Sequence, residues 1–112
     1  MQQLPKVSSL RDAVQTVISS NKKDGYPPTR FIQMTSVNDA ELTGVCSKVI
    51  MKPESLTALY MAICGNHPEL LTIEDFVAVY GEAWGFHTDI IKEAQRRKNQ
   101  FDEWAKCTRY IQ

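Results

Sequence analysis

The residues of this chain that could bind a metal ion form a single close pair. Cys64 and His67 are separated by two residues, whereas Cys46, His87 and Cys107 could join them only through folding. Structural zinc takes four ligands of this kind, usually supplied as two close pairs. We therefore expect no metal and no other cofactor.

The residues that could perform acid–base or nucleophilic catalysis also lack a catalytic arrangement. His67 and His87 fall in predicted connections between helices, and neither stands in a known nucleophile motif. Glu74 and Asp75 are adjacent, and adjacent residues of a helix point apart, so they make a poor carboxylate pair. The glycines are scattered and form no phosphate-binding loop. We expect a protein that is not an enzyme.

Six basic residues near the C-terminus could contact the phosphates of a nucleic acid. They are Lys92, Arg96, Arg97, Lys98, Lys106 and Arg109. Binding through such cations must weaken steeply as salt rises. The alternative is a solvated helix face, because Glu93 lies four residues before Arg97 and offers it an ion pair. The sequence leaves both interpretations open.

The charges are balanced in total but unevenly distributed. The chain has 13 basic and 13 acidic residues, which argues against a uniformly basic nucleic-acid binder. Residues 53–91 hold six acidic residues and no Lys or Arg. Residues 1–52 hold seven basic and four acidic residues, and residues 92–112 hold six and three. The ends could fold back on the acidic middle, or could together form a basic surface for an acidic partner.

Apolar residues recur at helical spacing along almost the whole chain. Each stripe follows a residue that is typical of a helix start, namely Ser9, Asn38, Pro53, Thr72 or Thr88. A further short helix follows two prolines that interrupt the first helix. With 112 residues and 43% apolar content, the pattern predicts one all-α domain over residues 1–112. We expect a compact bundle of five to six short helices, with residues 1–8 as a flexible N-terminal arm.

Two segments bear on how the bundle is arranged. Residues 45–51 are rich in β-branched side chains and could form a strand, but their complete helical spacing favours a helix. Residues 53–64 are apolar nearly all round, which predicts the central helix. We expect Cys46 and Cys64 to be buried thiols. The number of cysteines is odd, and the N-terminus has no signal pattern. No apolar run approaches the ~20 residues that a membrane span needs. These features indicate a protein of the cytoplasm.

Residues 10–35 carry the most specific pattern in the chain. An amphipathic helix ends in a polar turn, and Tyr26-Pro27-Pro28-Thr29 then leads into a short helix that opens with Phe-Ile. This pattern resembles the N-terminal helical domain of bacteriophage replicative-helicase loaders. The resemblance implies a small helper protein, encoded by a phage or mobile element, that binds a protein such as a replicative helicase and is not a catalyst.

The function favoured by these features is that of a small non-enzymatic protein-binding adaptor, acting on the replication machinery. The expected contacts with a host or phage protein come from the aromatic-proline corner, from the acidic middle, or from both: Tyr26, Pro27, Pro28, Arg30, Glu74, Asp75 and Glu82. Trp84 and Trp104 could be interface anchors or parts of the core.

Three other functions stay open. The protein could bind nucleic acid through the basic C-terminal helix. It could be a small anti-host or anti-defence inhibitor with an acidic binding face. It could also be a structural subunit or homo-oligomer, because the wide apolar arc of residues 56–64 could pack against a second copy.

Overall fold

Six helices make up most of the described part of the chain. The computed structural model describes the backbone of residues 4–111 and the side chains of residues 4–106. Its elements are α1 (Leu10–Lys23), α2 (Thr29–Thr35), α3 (Asp39–Met51), α4 (Pro53–Cys64), α5 (Ile73–Tyr80) and α6 (Thr88–Ile111). The predicted all-α class is confirmed. Residues 45–51 form the C-terminal half of α3, as their helical spacing predicts. The radius of gyration of 13.2 Å is that of one compact globule of this length.

Three helices begin at the capping residues that the sequence indicates. The side chain of Ser9 accepts from the Asp12 N–H, and that of Asn38 accepts from the Glu41 N–H. Thr72 and Asp75 form a reciprocal capping box, in which each side chain accepts from the other's backbone N–H. Each contact satisfies an N–H group that has no acceptor inside its own helix.

Two helix boundaries differ from the prediction. The last helix was expected to be capped by Thr88, but His87 takes this role, since its Nδ1 accepts from the Asp89 N–H at 3.1 Å. The apolar spacing that follows Thr72 predicts that α5 continues to Gly85. It ends at Tyr80, and the chain continues through hydrogen-bonded turns to Gly85, whose φ of +80° suits a residue without a side chain.

The packing is organised around α6, which contacts α3, α4 and α5. The larger hydrophobic cluster joins α1, α3, α5 and Ala94 of α6. A second cluster joins α4 and residue Leu70 to Phe101 and Ala105 of the same helix. One long helix, α6, therefore contributes buried residues to both clusters.

The prediction that α4 is the central helix is wrong. Only Ala62 and Ile63 of α4 are buried, whereas Tyr60, Met61 and Cys64 are exposed. The expectation that Cys64 is a buried thiol is therefore also wrong, although Cys46 is buried as expected. A helix that is apolar all round packs equally well at the edge of a core, so its composition did not decide its position.

The described part of the N-terminal arm lies against the bundle. Leu4 and Val7 are partly buried and pack on the larger cluster. Residues 1–3 of the predicted arm lie outside the described residues. Among the described residues, no helix combines the length and the apolarity that a membrane span needs.

The capping box at Thr72 should make a measurable contribution to the free energy of unfolding. We expect Thr72→Ala to lower the free energy of unfolding by about 1 kcal/mol, because the Asp75 N–H loses its acceptor. Thr57→Ala is the matched control, since the exposed Thr57 hydroxyl donates only to the Pro53 carbonyl within α4. Its effect should stay within about 0.5 kcal/mol. Urea denaturation of both variants checks this, and equal effects would contradict it.

Candidate functional site

A cleft of about 330 Å³ opens where the proline corner meets the α3–α4 joint. Its floor consists of buried residues from α1, α3 and the start of α5, among them Val17, Val49, Leu71 and Ile73. Its walls are the half-buried Tyr26, Phe31, Met34 and Leu59. Exposed residues surround the mouth, including Pro27, Thr29, Arg30, Glu54 and Ala58. The cleft is therefore an apolar hollow with a polar rim.

The corner that forms one side of this cleft is held from both directions. Gly25 turns the chain with a φ of +81°, and the Tyr26 N–H then donates to the Asn21 carbonyl at 2.9 Å. The Tyr26 ring lies edge-on to His67, with ring centroids 5.3 Å apart. His67 Nδ1 in turn lies 3.0 Å from Asp24 Oδ2. The corner is thus tied to the loop after α4.

The cleft floor is closed by a buried amide. Asn21 is almost completely buried and donates through Nδ2 to the Leu71 carbonyl at 2.9 Å. This contact joins the end of α1 to the segment that leads into α5. Because a buried carbonyl without a partner is costly, this bond fixes the two segments that form the floor.

A buried arginine fixes the joint between α3 and α4 beside the cleft. Arg97 is only 2% exposed, and its guanidinium donates to the carbonyls of Val49 and Lys52 at the end of α3. The same group pairs with Glu74 at 3.2 Å and with Glu93 at 2.9 Å. A cation is favourable at a helix C-terminus, where the last carbonyls have no acceptor role inside the helix. Arg97 therefore caps α3 from another helix.

The carboxyl group of Glu74 has an unusual environment. It is 1% exposed and contributes to the cleft lining. Burial raises the pKa of Glu74 to about 7, against the opposing effect of Arg97. Burial, with a smaller effect of Glu74, also raises the pKa of the nearby Cys46 thiol to about 12. Cys46 therefore stays a protonated thiol, which is a poor nucleophile.

Five of the predicted protein-binding residues line the cleft, namely the buried Glu74 and four residues of the proline corner. Tyr26, Pro27, Pro28 and Arg30 all line the cleft. Pro28 is buried, whereas Pro27 and Arg30 stand at the exposed mouth. The corner identified from the sequence is thus one wall of this cleft.

The acidic residues expected to share a binding face are separated. Glu74 is buried against Arg97, so the expectation that it lies on a surface is wrong. Asp75 is half-buried and accepts from Thr72 in the capping box. Glu82 is exposed in the turns after α5. Helical geometry sends the first two inward, so no continuous acidic face forms from the three.

Three of the six basic residues expected to contact nucleic acid form ion pairs with acidic groups. Arg97 is buried, so its predicted surface role is wrong. Arg96 donates to both carboxylate oxygens of Glu93, which raises the pKa of Arg96. Lys106 lies 3.8 Å from Glu103.

The three remaining basic residues differ in their exposure. Lys92 is exposed, and Lys98 is half-buried and acts on the Asp75 carboxyl. Arg109 lies outside the residues whose side chains are described.

Sequence reasoning missed the two arginines that join helices. Arg11 donates to Asp39 and to the carbonyls of Thr35 and Val37, which ties α1 to the end of α2. For Arg97 a signal was present, because it stands between Ala94 and Phe101 at the spacing of a buried stripe. An arginine at such a position is either buried in an ion pair or exposed to solvent. Which of the two occurs depends on the residues that pack against it in the fold.

The candidate metal and catalytic residues are dispersed. Cys46 lies in the core and Cys64 is exposed. His67 contacts Asp24, and His87 accepts a hydrogen bond at the start of α6. Cys107 lies outside the described side chains. Within residues 4–106, no group of three or more His, Cys, Asp or Glu side chains could hold a metal ion.

Trp84 and Trp104 are half-buried, with Trp84 stacked on Tyr80 and Trp104 edge-on to Tyr60.

A scan against protein-family models finds no match for this chain, and searches of the curated proteins and of the solved structures find no significant match.

The buried arginine should dominate the stability of the α3–α4 joint. We expect Arg97→Met to lower the free energy of unfolding by about 3–5 kcal/mol, because the buried Glu74 carboxyl group and the carbonyls of Val49 and Lys52 all lose their donor. The neighbouring Arg96→Met is the control. Its ion pair with Glu93 is solvent-exposed, so the loss should be about 1 kcal/mol or less. Urea denaturation measures both, and equal losses would contradict the buried role.

A double variant guards against the failure of Arg97→Met to fold. The double variant Glu74→Leu with Arg97→Met also removes the buried carboxyl group that has lost its partner, and it should recover much of the lost stability. No recovery would indicate that the carbonyl contacts of Arg97, rather than its pairing with Glu74, carry the effect.

The pKa of Glu74 predicts a pH dependence of stability. In the folded state the carboxyl keeps its proton up to about pH 7, whereas in the unfolded chain it loses it near 4.5. Between these values the folded state binds more protons, so the Glu74 contribution to stability falls as pH rises. Glu74→Gln lacks this titration and should lose less stability than wild type over the window. A wild-type curve that rises relative to the variant would contradict the raised pKa.

Proposed function

We propose that this protein is a small non-enzymatic adaptor that binds a partner protein through the cleft at the proline corner. The observation that carries the proposal is the apolar hollow of about 330 Å³ lined by Tyr26, Pro27, Pro28 and Arg30. Ligand sites in proteins are mostly apolar hollows of about 300–1,000 Å³ with a few polar groups. An apolar side chain of a partner that enters this hollow is removed from water, which stabilises the complex.

The contacts that hold the walls and floor of the cleft in place support a role in binding. Two prolines fix the backbone of the corner, and Tyr26 is held by a backbone hydrogen bond and by its ring contact with His67. Asn21 and Arg97 hold the floor and the adjoining helix joint. A site that is already formed loses little conformational entropy when its partner binds.

The electrostatics favour this proposal over binding to nucleic acid. Arg97 is buried and Arg96 is engaged by Glu93, so two of the six candidate cations are withdrawn from phosphate binding. Sequence-independent nucleic-acid binding depends on several cations that are free to contact phosphates. The cleft itself offers apolar walls, which a phosphate backbone does not fill.

The resemblance of residues 10–35 to phage helicase loaders makes a replicative helicase the first partner to test, because the same corner lines the cleft. We place the adaptor in the cytoplasm and in the context of a phage or mobile element. The free thiols Cys46 and Cys64 agree with a reducing compartment.

Filling the cleft should abolish partner binding. Ala58 is exposed at the mouth, so Ala58→Trp should occupy the hollow without disturbing the core. Ala40→Trp is the matched control, because Ala40 is also exposed on a helix but lies away from the cleft. Each tagged protein is used to capture partners from a nuclease-treated bacterial lysate, followed by mass spectrometry and by binding assays with the recovered protein.

The expected result is one protein that is retained by wild type and by Ala40→Trp and lost by Ala58→Trp. Capture that disappears with nuclease in every variant would move the function to nucleic acid. A partner that binds all variants equally would contradict the role of the cleft, even if its identity were a helicase.

A further inference from the structure

The mouth of the cleft carries two cations that have no partner among the described residues. Arg30 is exposed and Lys52 is half-buried, and both line the cleft. Neither side chain forms a hydrogen bond or an ion pair with any residue from 4 to 106. This contrasts with Arg11, Arg96 and Arg97, each of which is engaged by a carboxylate.

Of the two acidic residues that line the cleft, Glu54 is exposed at the mouth and offsets one of these two cations in net charge. Glu54 lies in the first turn of α4, where a negative charge is stabilised by the positive end of the helix dipole. Glu74 lies at the floor but belongs to a compact group in which Glu74 and Glu93 are balanced by Arg96 and Arg97. The mouth therefore carries two cations and one carboxylate, which leaves an excess of one positive charge.

We propose that the partner segment taken by this cleft is an apolar anchor flanked by Asp or Glu. The inference rests on the proposed function and adds the chemistry of the partner. The anchor fills the hollow between Tyr26, Phe31 and Leu59, while a flanking carboxylate reaches Arg30. A guanidinium can bind a carboxylate through two parallel hydrogen bonds, so Arg30 supplies direction as well as charge.

The two features together select one kind of occupant. An apolar segment with basic flanks would place like charges against Arg30 and Lys52, which is unfavourable. A nucleic acid would satisfy the cations but leave the apolar walls exposed to water. An acidic segment with an apolar anchor satisfies both parts of the cleft at once.

The test selects binding peptides without assuming a partner. A displayed library of random short linear peptides is panned on the full-length wild-type protein, on Ala58→Trp and on Ala40→Trp. Peptides retained by wild type and Ala40→Trp but lost on Ala58→Trp are those that use the cleft. Their sequences are then compared with the unselected library.

The outcomes separate this proposal from the function on which it rests. Enrichment of Asp or Glu beside a bulky apolar residue supports both. Cleft-dependent peptides without acidic enrichment would overturn the charge inference and leave the adaptor function standing. An absence of cleft-dependent peptides would overturn the adaptor function and this inference together.

A charge reversal measures the contribution of the rim directly. For an enriched acidic peptide, Arg30→Glu should weaken binding by about tenfold at low salt, with a smaller difference at high salt. Lys92→Glu makes the same change in net charge on the exposed face of α6 and should change affinity less than about twofold. Equal effects of the two reversals would indicate general attraction and overturn the specific role of Arg30.

Sedimentation of the free protein tests a second copy as the occupant. A wild-type dimer that Ala58→Trp converts to a monomer would show that the cleft is filled by another copy of this chain, and the proposal would then be overturned. A wild-type monomer supports an external partner.

Discussion

The rest of the structure depends on one buried guanidinium. Arg97 stands in the middle of α6, the helix that supplies both hydrophobic clusters, and its hydrogen bonds reach the end of α3 and the start of α5. A buried cation is costly unless its donors are satisfied, so these helices must meet in a geometry that satisfies them. The position of α4 follows, because Lys52, the residue before Pro53, is held extended by the proline and by its contact with Arg97.

The same constraint shapes the cleft. Val49, Lys52 and Glu74 all touch Arg97, and all three line the hollow. The proline corner closes the other side, held by Asn21 and His67 through the end of α1 and the loop after α4. The hollow therefore lies between two rigid supports, one built on a buried charge and one on restricted backbone angles.

Charge separates the interior of the site from its mouth. Inside, Glu74 and Glu93 are matched by Arg96 and Arg97, and burial keeps the pKa of Glu74 near neutrality. At the mouth, Arg30 has no such match among the described residues. An apolar hollow with an unmatched cation at its edge combines two recognition elements that act on different parts of one partner segment, and this combination underlies the proposed adaptor function.

The sequence by itself determined the local structure: the helical class, the capping residues Ser9, Asn38 and Thr72, and the proline corner, because spacing, capping chemistry and proline geometry act over a few residues. Only the tertiary structure decided that α4 is peripheral, that Glu74 and Arg97 are buried together, and that the corner lines a cleft. These features join residues 20 to 50 positions apart, and a charge or an apolar face takes its role from neighbours that chain periodicity does not specify.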